Sequence, residues 1–256
     1  MRPILFEYSF ITVRTSYLFW IAAVSLFMFW TRSRAVIKYG LDRNRTTNAI
    51  VWTFFAAAAG ALFFDFFGKT VLLFTKDPSF SGFFPAELSS SGGILFGGLA
   101  GIYKSYREKL RWNDFADAAM IPAASAIAIW RLGCYFDGCC RGISLDSLPL
   151  PWFAVHYPND HASIFRYPYP LIESAFMLGM MLFLAATEKL FFKKRAPSHT
   201  LLTPLFILAY GAFRLLTDHV REEGLRNGGM LIFAGFVLIG ALASLFTIYR
   251  SVQTDK

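Results

Sequence analysis

The chain has 256 residues, 55% of them hydrophobic, 18% aromatic and 16% charged, and it contains 29 Phe. Soluble domains carry nearer a quarter charged residues, so this composition excludes an ordinary soluble enzyme and a disordered chain alike. The formal charge is +8, from 25 basic and 17 acidic residues, and in a membrane chain the placement of those charges reports topology before it reports a partner.

A membrane-spanning helix needs roughly 20 mostly apolar residues. Seven stretches meet or approach that length. The first runs from Tyr8 or Tyr17 to Trp30 and the second from Ala49 to Phe67. The third, Gly92 to Tyr106, is short and Gly-rich. The fourth covers Phe115–Phe136, the fifth Pro170–Phe192, the sixth Leu201–Leu216 and the seventh Gly229–Tyr249. The predicted fold is therefore all-α: one polytopic integral membrane domain of seven transmembrane helices. A longer excursion, 138–167, carries Pro149, Pro151 and Pro158 and reads as a small cap or a re-entrant segment. There is no low-complexity tract and no clear internal repeat. No small-residue cleavage site follows the first span, so a removable signal is not expected.

The connecting segments alternate in charge. Basic groups follow the first span (Arg32, Arg34, Lys38, Arg43, Arg45, against Asp42), the third (Lys104, Arg107, Lys109, Arg111), the fifth (Lys189, Lys193, Lys194, Arg195) and the seventh (Arg250, Lys256). The other connections are mixed: Lys69, Lys76, Asp77 and Glu87, then Arg221, Glu222 and Glu223. Basic loops stay in the cytoplasm, which places the N-terminus outside and the C-terminus inside. Most of the +8 is then a topology signal, and no nucleic-acid partner is expected.

Two arginines interrupt apolar spans. Arg131 lies in the Ala-rich fourth span and Arg214 near the outer end of the sixth. An intramembrane Arg costs several kcal/mol unless paired or wet, which makes each a functional candidate; the alternative is snorkelling to the interface. Two guanidiniums facing one cavity would bind a phosphate through their planar donor forks. Acids stand near them. Asp218 follows Arg214 by four residues on one helix face, with Arg221 three further along that face. Glu173 begins the fifth span and Asp137 ends the fourth. Any of these acids could orient an arginine or accept a proton. Gly92, Gly93, Gly97, Gly98 and Gly101 either allow close helix packing, with Gly97 and Gly101 at GxxxG spacing, or break the helix and offer backbone N–H groups to an anion.

Cys134, Cys139 and Cys140 are the only cysteines, spaced C-x4-C-C. They could form a disulfide, remain buried thiols, or include a nucleophile favoured by Arg131. Zinc is not expected: His156 and His161 are not at finger spacing and no fourth ligand is evident.

The segment Arg131-Leu132-Gly133-Cys134-Tyr135-Phe136-Asp137-Gly138-Cys139-Cys140-Arg141-Gly142 resembles the signature of the prolipoprotein diacylglyceryl transferase family. Phe96-Gly97-Gly98-Leu99-Ala100-Gly101 is similar to that family's His-Gly-Gly-Leu segment. Pro168-Tyr169-Pro170-Leu171-Ile172-Glu173 resembles its His-Pro-x-Gln-Leu-Tyr-Glu. Tyr210-Gly211-Ala212-Phe213-Arg214, with Asp218 and Arg221 beyond, resembles its Tyr-Gly-x-Phe-Arg block. The resemblance spans nearly the whole chain, and the Arg-Leu-Gly and Gly-x-Phe-Arg blocks are its most specific parts. Departures fall on polar positions. Phe96 replaces the His of His-Gly-Gly, Cys134 an Asn, Cys139 a Glu, Tyr167 the His of His-Pro and Pro170 the Gln. The family's N-terminal Tyr falls near Ser16 or Tyr17. Some branches of the family carry this Gly-Cys and Gly-Cys-Cys form, and this chain is similar to them.

The resemblance implies transfer of a diacylglyceryl group from phosphatidylglycerol to a cysteine thiol of a lipoprotein precursor, with a glycerol phosphate leaving. It implies a bacterial inner-membrane enzyme whose site opens to the outer side. Arg131, Arg214, Asp218 and Glu173 are the expected catalytic residues. Gly97, Gly98, Gly133, Asp137, Gly142 and Arg221 are the expected substrate-binding ones. The expected partners are an anionic, phosphatidylglycerol-like phospholipid and an acceptor that the sequence does not name; no cofactor and no metal are expected. With Phe96 in place of His, the proton acceptor is left to Asp137, Glu173, Asp218 or His156. The rival readings are a paralogous enzyme with another acceptor, a non-catalytic lipid-handling protein on the same scaffold, and, last, a receptor or channel.

Overall fold

The computed structural model describes residues 4–8, 11–75, 90–145, 149–157, 160–161, 163–191, 201–222 and 230–253. Lys76, Asp77, Glu87, Pro158, Lys193, Lys194, Arg195, Glu223 and Lys256 lie outside the described residues. Among those described, the chain forms seven α-helices: α1 Thr15–Ile37, α2 Arg43–Thr75, α3 Ser90–Arg107, α4 Trp112–Asp137, α5 Tyr169–Phe191, α6 Leu202–Thr217 and α7 Met230–Gln253. Each matches an expected apolar stretch; α1 and α2 extend several residues beyond it, and α3, α5 and α6 lie close to the expected bounds. The fold is all-helical, as expected, with one small addition. Strands β1 (Ile4–Tyr8) and β2 (Ile11–Arg14) pair as an antiparallel hairpin ahead of α1. The alternating Ile11-Thr12-Val13-Arg14 carries β-branched residues suited to such pairing.

Among the described residues, three helical segments are long and apolar enough to cross a membrane: Arg43–Phe63, Trp112–Asp137 and Tyr169–Leu190; Phe233–Thr247 is a shorter apolar one. Large apolar side chains point outward along α5 and α7, among them Leu182, Phe183, Leu190, Leu242, Leu245 and Phe246. Outward apolar side chains of this kind suit a hydrocarbon solvent.

The chain divides into two compact units, Thr31–Ala118 and Met1–Trp30 with Ala119–Lys256. In the first unit α2 starts on a capped end, where Asp42 Oδ1 accepts from the Arg45 backbone N–H at 2.9 Å. Helix α3 runs unbroken through its glycines, so the broken-helix alternative is not what forms. A Cβ on Gly97 would stand 2.9 Å from Ala57 Cβ, and one on Gly60 only 2.4 Å from Phe96 Cβ. These are contact positions that let α2 and α3 approach closely. Arg34 Nε donates to Ala118 O at 3.1 Å. Pro122, four residues on in α4, has no N–H to offer that carbonyl, so Arg34 takes the place of the missing helix bond.

In the second unit the core joins Ile121, Ala124 and Ala128 of α4, Met177, Met180 and Leu184 of α5, Leu202 and Tyr210 of α6, and Phe233 of α7. Ser174 Oγ donates to Ala128 O at 2.9 Å, tying α5 to α4. A Cβ on Gly240 would meet Leu208 N at 2.6 Å, so α6 and α7 touch nearly backbone to backbone. The described residues of 138–167, called the cap below, include short extended segments joined by bridges. Val155 and Arg166 exchange backbone hydrogen bonds at 2.9 and 3.0 Å, and Ile143 N donates to Val220 O at 2.8 Å.

Candidate active site

Helices α4, α5 and α6 bring four of the expected residues into one connected chain. Arg131 Nε stands 2.8 Å from Glu173 Oε2, in an ion pair whose acid is fully buried. The Tyr210 hydroxyl donates to Glu173 Oε1 at 3.4 Å and accepts from Arg214 Nη1 at 3.4 Å. Arg214 Nη2 donates to Asp218 Oδ1 at 3.1 Å. The series Arg131–Glu173–Tyr210–Arg214–Asp218 is thus continuous. Arg214 is 3% exposed and its guanidinium lies 4.5 Å from the centre of the Phe233 ring, which supports the cation from its apolar side. Neither arginine snorkels: each is buried against a carboxylate. Breaking such a pair leaves an uncompensated charge and costs about 3–5 kcal/mol. The acids fix the guanidiniums without consuming every donor. Glu173 approaches Arg131 at Nε. Arg214 Nε has no hydrogen-bond acceptor among the described residues.

Arg221 requires a correction. It was expected on the helix face that carries Arg214 and Asp218. Instead α6 ends at Thr217, Asp218–Val220 is a single 3-10 turn, and Arg221 is extended (φ −91°, ψ 132°). Its backbone pairs with Gly142 in an antiparallel bridge. The two expected binding residues Gly142 and Arg221 are therefore neighbours through backbone pairing. Gly142 has a steric reason as well, because a Cβ there would fall 2.5 Å from Tyr167 Cβ and 2.7 Å from Tyr167 O. Gly133 is a contact residue on α4, where an added Cβ would lie 2.8 Å from Phe19 Cβ of α1. Asp137 accepts from Arg14 Nη1 at 3.2 Å, so it anchors the end of β2 and stands outside the Arg131–Asp218 series. Gly97 and Gly98 belong to the other unit; Gly97 packs on Ala57, and Gly98 has open space where a side chain would be.

The turn after α4 gathers the cysteines. Cys139 N donates to Cys134 O and Gly138 N donates to Tyr135 O, with Gly138 at φ 72°. This is a Schellman cap, which places Cys139 back over Cys134. Cys140 follows at φ 54°, unusual for a residue with a side chain. All three are free thiols, and their sulfurs lie within 4.8 Å of one another. Arg221 Nη2 reaches Cys140 Sγ at 3.9 Å. Hydrogen bonds from Cys134 and Cys139 hold the Cys140 thiol well below the usual range against the opposing effect of burial, and the Arg131 and Arg221 guanidiniums add smaller effects in the same direction.

Several residues of the site were not singled out from sequence. Tyr210 bridges the two ion pairs, and Tyr169, buried beside it, shares a hydrogen bond with Thr217 Oγ1 at 3.2 Å. The cap has its own charge network. Asp160 pairs with Arg141 and with Arg166 (2.6 Å), and Arg166 reaches Glu222 at 3.1 Å and Gly142 O at 3.2 Å. The signal for Tyr210 was its place four residues before Arg214. Nothing in the sequence pairs Asp160 with Arg141 and Arg166 across a loop. His156 Nδ1 donates to the Tyr157 carbonyl at 2.9 Å, which leaves Nε2 as a proton acceptor within the cap.

The prolipoprotein diacylglyceryl transferase family model matches residues 3–253. Among curated proteins, the phosphatidylglycerol–prolipoprotein diacylglyceryl transferase of Haemophilus influenzae (strain PittEE) is 32% identical over 153 residues, 59% of this chain and 53% of that protein. The protein of the same name from Vibrio atlanticus (strain LGP32) is 28% identical over 255 residues, covering 95% and 85%. That of Vibrio vulnificus (strain YJ016) is 27% identical, covering 94% and 86%. The alignment with the Haemophilus protein spans about half of that relative's length. With a family match running almost from end to end and the motif arginines joined in one buried series, this chain belongs to the prolipoprotein diacylglyceryl transferase family.

Proposed function

We propose that the protein is a membrane transferase that moves a diacylglyceryl group from an anionic, phosphatidylglycerol-like lipid to an acceptor, with a glycerol phosphate as leaving group. The observation that carries this reading is the continuous Arg131–Glu173–Tyr210–Arg214–Asp218 series. As the C–O bond to phosphate breaks, negative charge builds on the departing oxygen. Oriented donors in a dry site stabilise it strongly, because they need no reorganisation at that moment. Arg131 and Arg214 are those donors; Glu173 and Asp218 hold them in place, and Tyr210 keeps the two pairs in register. Gly142 and Arg221, paired at the cap, close the substrate side.

The relatives are named for phosphatidylglycerol and a prolipoprotein, so a lipoprotein-precursor thiol is the first acceptor to test. A different acceptor is the second reading, and one observation favours it. Phe96 packs against Gly60 and the Phe63 ring (5.8 Å between centroids), so that position supplies no proton acceptor. We place the chain in the bacterial inner membrane with seven spans, the N-terminus outside and the C-terminus in the cytoplasm, in keeping with the alternating basic loops.

The test is turnover by the purified full chain with radiolabelled phosphatidylglycerol and a lipoprotein-precursor peptide. Acceptor-dependent release of glycerol phosphate, lost in Arg131→Ala, is the expected result. Lipid binding without turnover in both proteins would leave only lipid handling. Complementation of a strain depleted of its own diacylglyceryl transferase separates the acceptors: rescue identifies lipoprotein modification, and failure with good membrane expression points to another nucleophile.

A further inference from the structure

The three thiols at the end of α4 are not used by the proposed transfer, yet the fold goes to some length to assemble them. The Schellman cap at Gly138 stacks Cys139 on Cys134. Cys140 then takes a left-handed backbone conformation, which costs a residue with a Cβ on the order of 1–2 kcal/mol and persists where the surroundings require it. That strained residue closes the triangle. The sulfurs lie within 4.8 Å of one another, and all three are free rather than bridged. A metal about 2.3 Å from each of three sulfurs needs them roughly 4 Å apart, so shifts of less than an ångström suffice.

We propose that Cys134, Cys139 and Cys140 form a binding site for one thiophilic d10 metal ion, held through three thiolates. Among the described residues the group contains only these three ligands. Soft thiolates in a low-coordinate set favour Cu(I), whereas Zn(II) normally requires a fourth ligand and would have to keep a water. On binding, each thiol releases its proton to solvent and its sulfur lone pair is donated to the metal; no electron is transferred. Three thiolates with Cu(I) carry a net −2. Arg221, 3.9 Å from Cys140 Sγ, supplies one compensating charge, and Arg131, one helical turn before Cys134 and already paired with Glu173, adds a favourable field. Access is built in as well: Cys134 is buried, Cys140 partly so, and Cys139 is exposed, so an ion can enter from the Cys139 side. The site stands whatever group the enzyme transfers.

The experiment uses the reduced, metal-free full chain in detergent under anaerobic conditions. Cu(I) is titrated in competition with a chromophoric chelator, and Zn(II) in a parallel arm. One equivalent of Cu(I) per chain is expected, held more tightly than Zn(II), with a thiolate-to-metal absorption band and protection of all three cysteines from alkylation. Cys134→Ser, Cys139→Ser and Cys140→Ser should each weaken binding by more than the ~10–100-fold that changing an outer-shell group costs. Failure of the wild-type chain to bind either ion at one equivalent while all three thiols titrate would overturn the site, whatever the variants do. So would a disulfide between two of the cysteines in anaerobically purified protein, or full affinity retained by Cys139→Ser.

Discussion

Glu173 has no contact with water and faces Arg131 at 2.8 Å, so the two residues depend on each other more than either depends on solvent. Glu173→Ala should lower the stability of the detergent-solubilised protein by about 3–5 kcal/mol, because it leaves a buried guanidinium unpaired. The apolar double variant Arg131→Met/Glu173→Leu should recover most of that loss and still show no turnover. Thermal unfolding of wild type, Arg131→Met, Glu173→Leu and the double variant closes a double-mutant cycle that reads the pairing directly; additive losses would mean the pair is not coupled. Tyr210→Phe removes the hydroxyl between Glu173 and Arg214. Its predicted stability loss is about 1–3 kcal/mol, the cost of leaving buried partners unsatisfied. The activity readout distinguishes register from mere packing: kcat should fall while lipid affinity changes little. At this scale the sequence was informative about single residues and about the local pair Arg214–Asp218, and silent about pairs between helices. Arg131 and Arg214 stood out because an ionisable group in an apolar run needs a reason. That Arg131 meets Glu173 depends on how α4 and α5 are juxtaposed. Arg34 was taken as an orientation charge, but its side chain fills the hydrogen bond that Pro122 denies to Ala118.

Close approaches between elements depend on glycine at a few positions. Gly240 lets α7 come within 2.6 Å, measured from where its Cβ would be, of the Leu208 backbone nitrogen, and backbone cannot rotate away as a side chain can. Gly240→Ala should therefore force α6 and α7 apart and cost about 1–3 kcal/mol. Because Phe233 on α7 backs the Arg214 guanidinium, the same change should reduce turnover, whereas Gly235→Ala, which has open space, should do neither. Thermal stability and turnover of the two variants settle the comparison. The helices themselves were legible as elements, although α1 and α2 run well past their apolar stretches, since a run of apolar residues long enough to span is hard to mistake for another element. The β1–β2 hairpin was missed because its short polar-apolar alternation merges into the first apolar run. Arg221 was misplaced because helical spacing was extended past Thr217, where the chain turns to pair with Gly142.

Topology is the question at the scale of the whole molecule. If the basic connections lie in the cytoplasm, a fluorescent protein fused to the C-terminus should be bright and an alkaline phosphatase fused there inactive. A phosphatase inserted in the 138–157 cap should be active. The reverse pattern would invert the placement of the site and of its lipid leaflet. Length, apolar content and the alternation of basic loops are set by the sequence itself, because each residue meets lipid, water or membrane potential on its own account. So is the presence of two arginines, two acids and three cysteines that apolar packing does not explain. Tertiary structure alone decided which of them meet. It joined Arg131 to Glu173 and, through Tyr210, to Arg214 and Asp218. It moved Arg221 from a helix face to the cap, left Asp137 to Arg14, and folded C-x4-C-C into a triangle of sulfurs. The physical reason is that a charge buried in a low-dielectric interior is tolerable only beside its complement. For Arg131 that complement is Glu173, supplied by another helix at a distance along the chain that no local pattern encodes.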